Sequence, residues 1–130
     1  MLINLDLLNT VSDEARNSER LRKNFNLHES LDSKVQRLFN AMEPGTIVPI
    51  QRHQNTAETI ILIAGRMSIA IYDDKKNVIE SHILDTSIGN YGYHIPAGVW
   101  HSVEVLESGT VMFEVKEGPY APLSEEDILK

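Results

Sequence analysis

Three side chains of metal-ligand type stand at separate points of the chain: His53, Glu58 and His101. Two of them open an apolar alternation, Glu58 before Ile60, Leu62 and Ala64, and His101 before Val103 and Val105. Residues two apart in a strand share a face, so each polar group sits at a strand end on the side of its apolar neighbours, and Gln51 shares the face of His53. An ionised carboxylate at the rim of an aliphatic floor needs a cation, a hydrogen-bond partner or a proton. The plainer reading is a dry cluster in which an imidazole hydrogen-bonds Glu58. The sharper one is that two imidazoles and a carboxylate form the facial set that holds a divalent first-row metal, Zn, Fe, Mn or Ni, with positions left open for water or substrate. Gln51 is open to two readings: a weak amide-oxygen ligand, or a group that orients a metal-bound water or a substrate hydroxyl.

Composition narrows the chemistry around this set. The chain has 130 residues, enough for one domain with a real core, and no cysteine, so any metal must be held by nitrogen and oxygen. A formal charge of −7 has the wrong sign for a protein that neutralises nucleic-acid phosphates. No apolar run approaches the roughly 20 residues of a membrane helix, and the N-terminus MLINLDLLNTVSDEA lacks the layout of a secretory signal. The expectation is a soluble cytoplasmic protein.

The elements that must position the three ligands are short strands. From Gly45 onward strand-like runs fall at about 46–53, 57–64, 66–73, 77–84, 91–95, 100–106 and 110–117, separated by turn residues such as Gly65, Asp73-Asp74-Lys75-Lys76-Asn77 and Pro96-Ala97-Gly98. That spacing predicts an antiparallel sandwich or closed barrel. Ahead of it, residues 1–43 read as a helical arm. A first helix runs from Asn4 to about Glu19, Asn24-Phe25-Asn26-Leu27-His28 reads as a short strand, and a second helix is expected from Leu31 to Met42 because Leu31, Val35, Leu38, Phe39 and Met42 recur at helical spacing. The barrel occupies 44–118, and 119–130 form a tail with a short helix starting at Ser124-Glu125-Glu126-Asp127.

Other polar residues carry weaker signals. His94, just before Ile95-Pro96, and Tyr93 are candidate acid or base groups if they line the cavity, although a histidine there is more often a satisfied structural group. Tyr91 is equally ambiguous, His82 reads as surface, and His28 as a residue that caps or touches the barrel. Arg16, Arg20, Arg22 and Lys23 cluster in an acidic chain. The favoured reading is a solvated helix face paired with Asp13, Glu14 and Glu19; the functional alternative folds the arm over the barrel mouth, with Arg20 and Arg22 clamping an anionic substrate such as a phosphorylated or nucleotide-linked sugar. Ile61 and Ile63 face away from Glu58 and must be covered by the arm or by a second subunit.

The spacing resembles the cupin superfamily. Its first motif, G-x5-H-x-H-x3,4-E-x6-G, is matched by Gly45, Gln51, His53, Glu58 and Gly65, with Gln51 in the place of the first histidine. Its second, ending P-x-G-x2-H-x3-N, is matched by Pro96, Gly98 and His101, with Val105 in place of the asparagine. Within that superfamily the chain is similar to the WbuC-type cupin-fold metalloproteins found among bacterial surface-polysaccharide genes, through Asn26-Leu27-His28-Glu29-Ser30, Val35-Gln36-Arg37-Leu38 and Phe113-Glu114-Val115-Lys116-Glu117-Gly118-Pro119-Tyr120. The resemblance implies a mainly β fold, a cupin barrel or jelly roll, with His53, Glu58 and His101 as metal ligands, and, since cupins are commonly dimers, a homodimer. The function it suggests is a metal-dependent enzyme on a sugar or sugar nucleotide, of isomerase or epimerase type. The alternatives are a non-catalytic small-molecule binding or sensing module, and an iron-dependent dioxygenase.

Overall fold

A computed structural model describes residues 1–130 as two five-stranded sheets behind one helix. The helix α1 (Leu5–Arg16) starts where the Asn4 side chain accepts a hydrogen bond from the Leu7 N–H. Strands follow as β1 (Arg22–Asn26), β2 (Val35–Met42), β3 (Ile50–Gln51), β4 (Glu58–Ala64), β5 (Met67–Tyr72), β6 (Val78–Leu84), β7 (Gly92–Ile95), β8 (Trp100–Val105), β9 (Thr110–Glu117) and β10 (Ile128–Leu129). One sheet has the order β1-β2-β9-β4-β7 and the other β10-β3-β8-β5-β6, and every pairing is antiparallel. Two such sheets face to face form the jelly roll expected of a cupin barrel.

Of the helices expected from the sequence, the one over 31–42 is absent and the C-terminal one is a short 3-10 turn. Residues 35–42 form β2, inserted between β1 and β9, so the arm supplies two strands of the barrel sheet. Leu38 and Met42 on one face and Phe39 and Ala41 on the other are all buried, because β2 has the barrel interior on one side and α1 on the other. A strand covered on both sides loses its polar–apolar alternation, and apolar residues then fall at helix-like intervals. Ser124 to Asp127 make a single 3-10 turn before β10 pairs with β3. The strand expected at 46–53 shrinks to Ile50–Gln51, since Pro49 has no N–H to give a ladder.

The core divides in two. Between the sheets pack Met42, Ile60, Leu62, Met67, Ile69, Ile71, Leu84, Ile95, Val105 and Met112; outside the first sheet, Leu8, Val11 and Ala15 of α1 cover Phe39, Ala41 and Val111. Fully burying a side chain of this kind stabilises by about 1.5–3 kcal/mol, so the apolar end of the sandwich carries the fold. Gly65, at φ +84, makes the tight β4–β5 turn where a Cβ would run into Thr110. No helix is long and apolar enough to cross a membrane.

Candidate metal centre

Several strands change character toward one end of the sandwich. In β4 the inward positions read Leu62, Ile60, Glu58; in β8 they read Val105, Val103, His101; in β9 they read Met112, Glu114, Lys116. The ladder aligns these ends, with Glu58 opposite Lys116, Ile60 opposite Glu114 and Gln51 opposite His101. His53 lies in the loop between β3 and β4. One ligand atom from each of His53, Glu58 and His101 lies within 4.8 Å of the others, so the structure brings together the three residues that the spacing singled out.

Each of the three is held by its surroundings. His53 Nε2 is 3.2 Å from Glu58 Oε2. His101 is buried, and its Nδ1 lies 3.0 Å from the Val99 carbonyl. A carbonyl only accepts, so Nδ1 carries the proton and Nε2 keeps its lone pair for an electrophile. Burial lowers the His101 pKa, which keeps the ring neutral, as a ligand must be. Burial works the other way on Glu58, but the hydrogen bond from His53 and the positive charge of Lys116 outweigh it and leave the carboxyl below its usual range.

These groups fit a divalent ion. Ligand atoms about 2.1 Å from a common ion stand roughly 3 to 4 Å apart, so a side-chain adjustment of about an ångström closes the set. Two neutral nitrogens and a carboxylate are borderline donors that suit Zn, Fe, Mn or Ni. Gln51 lines the same cavity, across the ladder from His101. That position is compatible with an amide-oxygen ligand and with contact to a bound water.

The cavity extends outward from this cluster to about 540 Å³, with Arg20, Arg22, Asn40, Glu114, Lys116 and Tyr120 among its lining residues. Arg20 and Arg22 therefore reach the mouth, off the helix. Arg16 alone of the basic cluster pairs as expected, with Asp13 at 2.7 Å and also with Glu43 at 3.1 Å. His94 and Tyr93 do not join the site. His94 is exposed on the outer face, with Nδ1 2.9 Å from Thr59 Oγ1. Tyr93 turns inward against the core and donates its hydroxyl to Glu80 at 3.0 Å. Period-two counting explains both: Ile95, opposite Glu58, is the inward residue nearest the centre, and its neighbour His94 points the other way. His82 is on the surface beside Glu80, and His28 is buried with Nδ1 accepting the Arg37 N–H at 3.1 Å.

Sequence reasoning missed Glu114. It is buried, and burial together with the nearby Glu58 charge pushes its pKa up to about 8, so it holds a proton at neutral pH. Beside it the Asn40 Oδ1 is buried without a hydrogen-bond partner. The available signal was the register of Met112, Glu114 and Lys116, which puts two charged residues on an apolar strand face.

Residues 3–84 match the family described as domain of unknown function DUF6016, more than half of the 130 residues. The chain belongs to that family. The matched stretch of the DUF6016 chain includes His53 and Glu58 and ends before His101 and Glu114. No curated protein matches it in sequence. Solved structures share its fold. The cupin domain of Schizosaccharomyces pombe Cnp3 superposes with a TM-score of 0.60 at 9% identity, over 76% of this chain and 66% of that one. KdgF from Halomonas sp. gives 0.61 at 11%, over 77% and 82%. Oxalate decarboxylase from Bacillus subtilis, a protein with Mn(II) centres, gives 0.58 at 20%, over 84% of this chain and 27% of that longer one. The DUF6016 chain therefore has the cupin fold.

Proposed function

We propose that this protein is a metal-dependent enzyme acting on a small polar metabolite, a sugar or sugar nucleotide, by isomerisation or epimerisation. The observation that carries this reading is the convergence of His53, Glu58 and His101 within 4.8 Å at the inner end of a polar cavity. An ion held there supplies Lewis acidity toward a carbonyl or hydroxyl. The chain's own residues do the rest. Glu58 brings negative charge to the ion, and His101 is oriented through its Nδ1–H bond to Val99. Gln51 orients a bound water or hydroxyl. Glu114 takes the proton-carrying role that His94 and Tyr93 are not placed to fill, since its protonated carboxyl faces the same cavity.

The resemblance of Asn26–Ser30 and Phe113–Tyr120 to WbuC-type proteins supports a place in surface-polysaccharide synthesis in the cytoplasm. The half-exposed Ile61 and Ile63, left uncovered by α1, support a homodimer that buries them. A second reading, a binding module without turnover, is favoured by Gln51, because a neutral amide binds metal less firmly than imidazole. The test is elemental analysis of freshly purified protein, followed by incubation with sugars and sugar nucleotides with and without chelator. Conversion that stops on chelation supports the enzyme. A sugar that stabilises the protein and is returned unchanged supports the binding module and contradicts the enzyme.

A further inference from the structure

The cations of this acidic chain are unevenly used. Its ion pairs engage Arg16, Arg52, Arg66 and Lys130, besides His53 and His82. Arg20, Arg22, Lys23 and Lys116 make none, and all four line the cavity beside the metal-ligand cluster. They arrive from different elements: Arg20 from the turn after α1, Arg22 and Lys23 from β1, and Lys116 from the end of β9. Convergence of unpaired like charges raises the free energy of the empty cavity. Burial first, and then the neighbouring Arg20, lower the Arg22 pKa, and the nearby Glu114 only partly offsets them. The carboxyls on hand do not balance the set. Glu58 belongs to the ligand cluster, which leaves Glu114 as the one other carboxyl lining the cavity against four cations.

We propose that the cavity is built for a ligand that carries an oxyanion, a carboxylate or phosphate, between Arg22 and Lys116. This deepens the reading of the same cavity given above by naming its substrate class. Oxyanion contact relieves the repulsion among the four cations, and guanidinium and ammonium bonds to an anion in a half-enclosed site are the strong, charge-assisted kind. Arg20 and Lys23, exposed at the rim, attract the anion from solution, whereas Arg22 and Lys116, half-buried, hold it. A neutral polyol of equal size leaves the repulsion in place.

The experiment is titration calorimetry of the full chain with glucose, glucuronate, glucose 6-phosphate and inorganic phosphate, each with metal-loaded and chelator-treated protein. Glucuronate or glucose 6-phosphate is expected to bind at least about tenfold more tightly than glucose, with affinity falling as salt rises. Which of the two binds more tightly separates a carboxylate from a phosphate ligand, and binding of inorganic phosphate alone as tightly as glucose 6-phosphate supports recognition of the oxyanion itself. The pair Arg22→Gln and Lys116→Gln is expected to abolish that preference while metal content stays at the wild-type level. Should the double variant fail to fold, judged by its thermal transition, Lys116→Gln alone is expected to weaken the anion at least about fivefold and leave glucose unchanged. Equal binding of glucose and its anionic derivatives, unchanged anion affinity in a folded variant, or no anion binding to either form overturns the proposal. Anion binding to a protein that takes up no metal leaves the proposal standing and removes the metal-dependent enzyme instead.

Discussion

The main-chain N–H of Gly98 donates to the carbonyl of His53 at 2.7 Å. The Pro96-Ala97-Gly98 turn that launches His101 is thereby fastened to the loop that carries His53, and two candidate ligands distant in sequence are set against each other by one backbone bond. Gly98 has φ +80, and a Cβ added there would meet nothing within 4 Å. Substitution to alanine is thus penalised only through the backbone. Gly98→Ala is expected to cost about 1–2 kcal/mol of stability, visible as a lowered thermal midpoint, and to weaken metal binding in competition with a chromogenic chelator. An unchanged metal affinity would show that the turn does not set the ligand geometry.

Gln51 lies across the ladder from His101, in the place where the cupin motif has a histidine. Gln51→His adds an imidazole to the set. Competition titration is expected to show metal affinity raised by about tenfold or more, since imidazole is the better ligand. No gain would mean that residue 51 faces the bound water or substrate rather than the ion.

The candidate ligands sit at the ends of β4 and β8 and in the β3–β4 loop, whereas the fold rests on the aliphatic residues between the sheets. His53→Ala and His101→Ala are each expected to abolish stoichiometric metal, read by elemental analysis, with the far-ultraviolet circular dichroism of the barrel retained. His101 is the more buried of the two, and its loss should cost about 1–3 kcal/mol. Full metal occupancy in either variant would take that residue out of the centre.

Glu114 gives the metal-free chain a signature in pH. Its folded pKa, about 8, lies above the reference 4.5, so the folded state holds a proton that the unfolded state has released between those values. The stability this proton contributes is fully present below pH 4.5 and is lost progressively as pH rises to about 8, with a slope of at most about 1.4 kcal/mol per pH unit. Glu114→Gln cannot titrate. Denaturant melts of the two metal-free proteins should therefore show the variant gaining on the wild type across that range; parallel curves would place an ionised carboxylate at this position.

Most of the strands and the three-residue cluster were legible because strand alternation and turn residues encode them locally. Glu58 and His101 each stand in register with an apolar run, which is a strong signal in one sequence. What was hidden depends on layers that no local pattern records. β2 was unreadable as a strand because α1 covers its second face, and with β2 misplaced, Asn40 could not be seen to lie beside Glu114. His94 was misdirected for a simpler reason, a single-residue error of face.

Asp127 is a smaller instance of the same point. It accepts from Gln54 at 2.7 Å and from Arg52 at 3.2 Å, and fastens the tail whose Tyr120 to Leu123 wall the cavity. The expectation of a helix there gave no hint of that clasp. Asp127→Ala should speed amide hydrogen exchange in residues 119–129 while leaving the β4 and β9 ladder protected; slow exchange in that tail would mean that the β3–β10 pairing alone secures it.

The central claim is an ion shared by His53, Glu58 and His101, and anomalous diffraction from crystals of the protein as purified tests it most directly. The account predicts one peak, at an absorption edge that names the element, about 2.1 Å from His101 Nε2 and at bonding distance from His53 and Glu58. Crystals grown after supplying Zn, Fe, Mn and Ni that show no peak there, with His53 still bonded to Glu58, would contradict it.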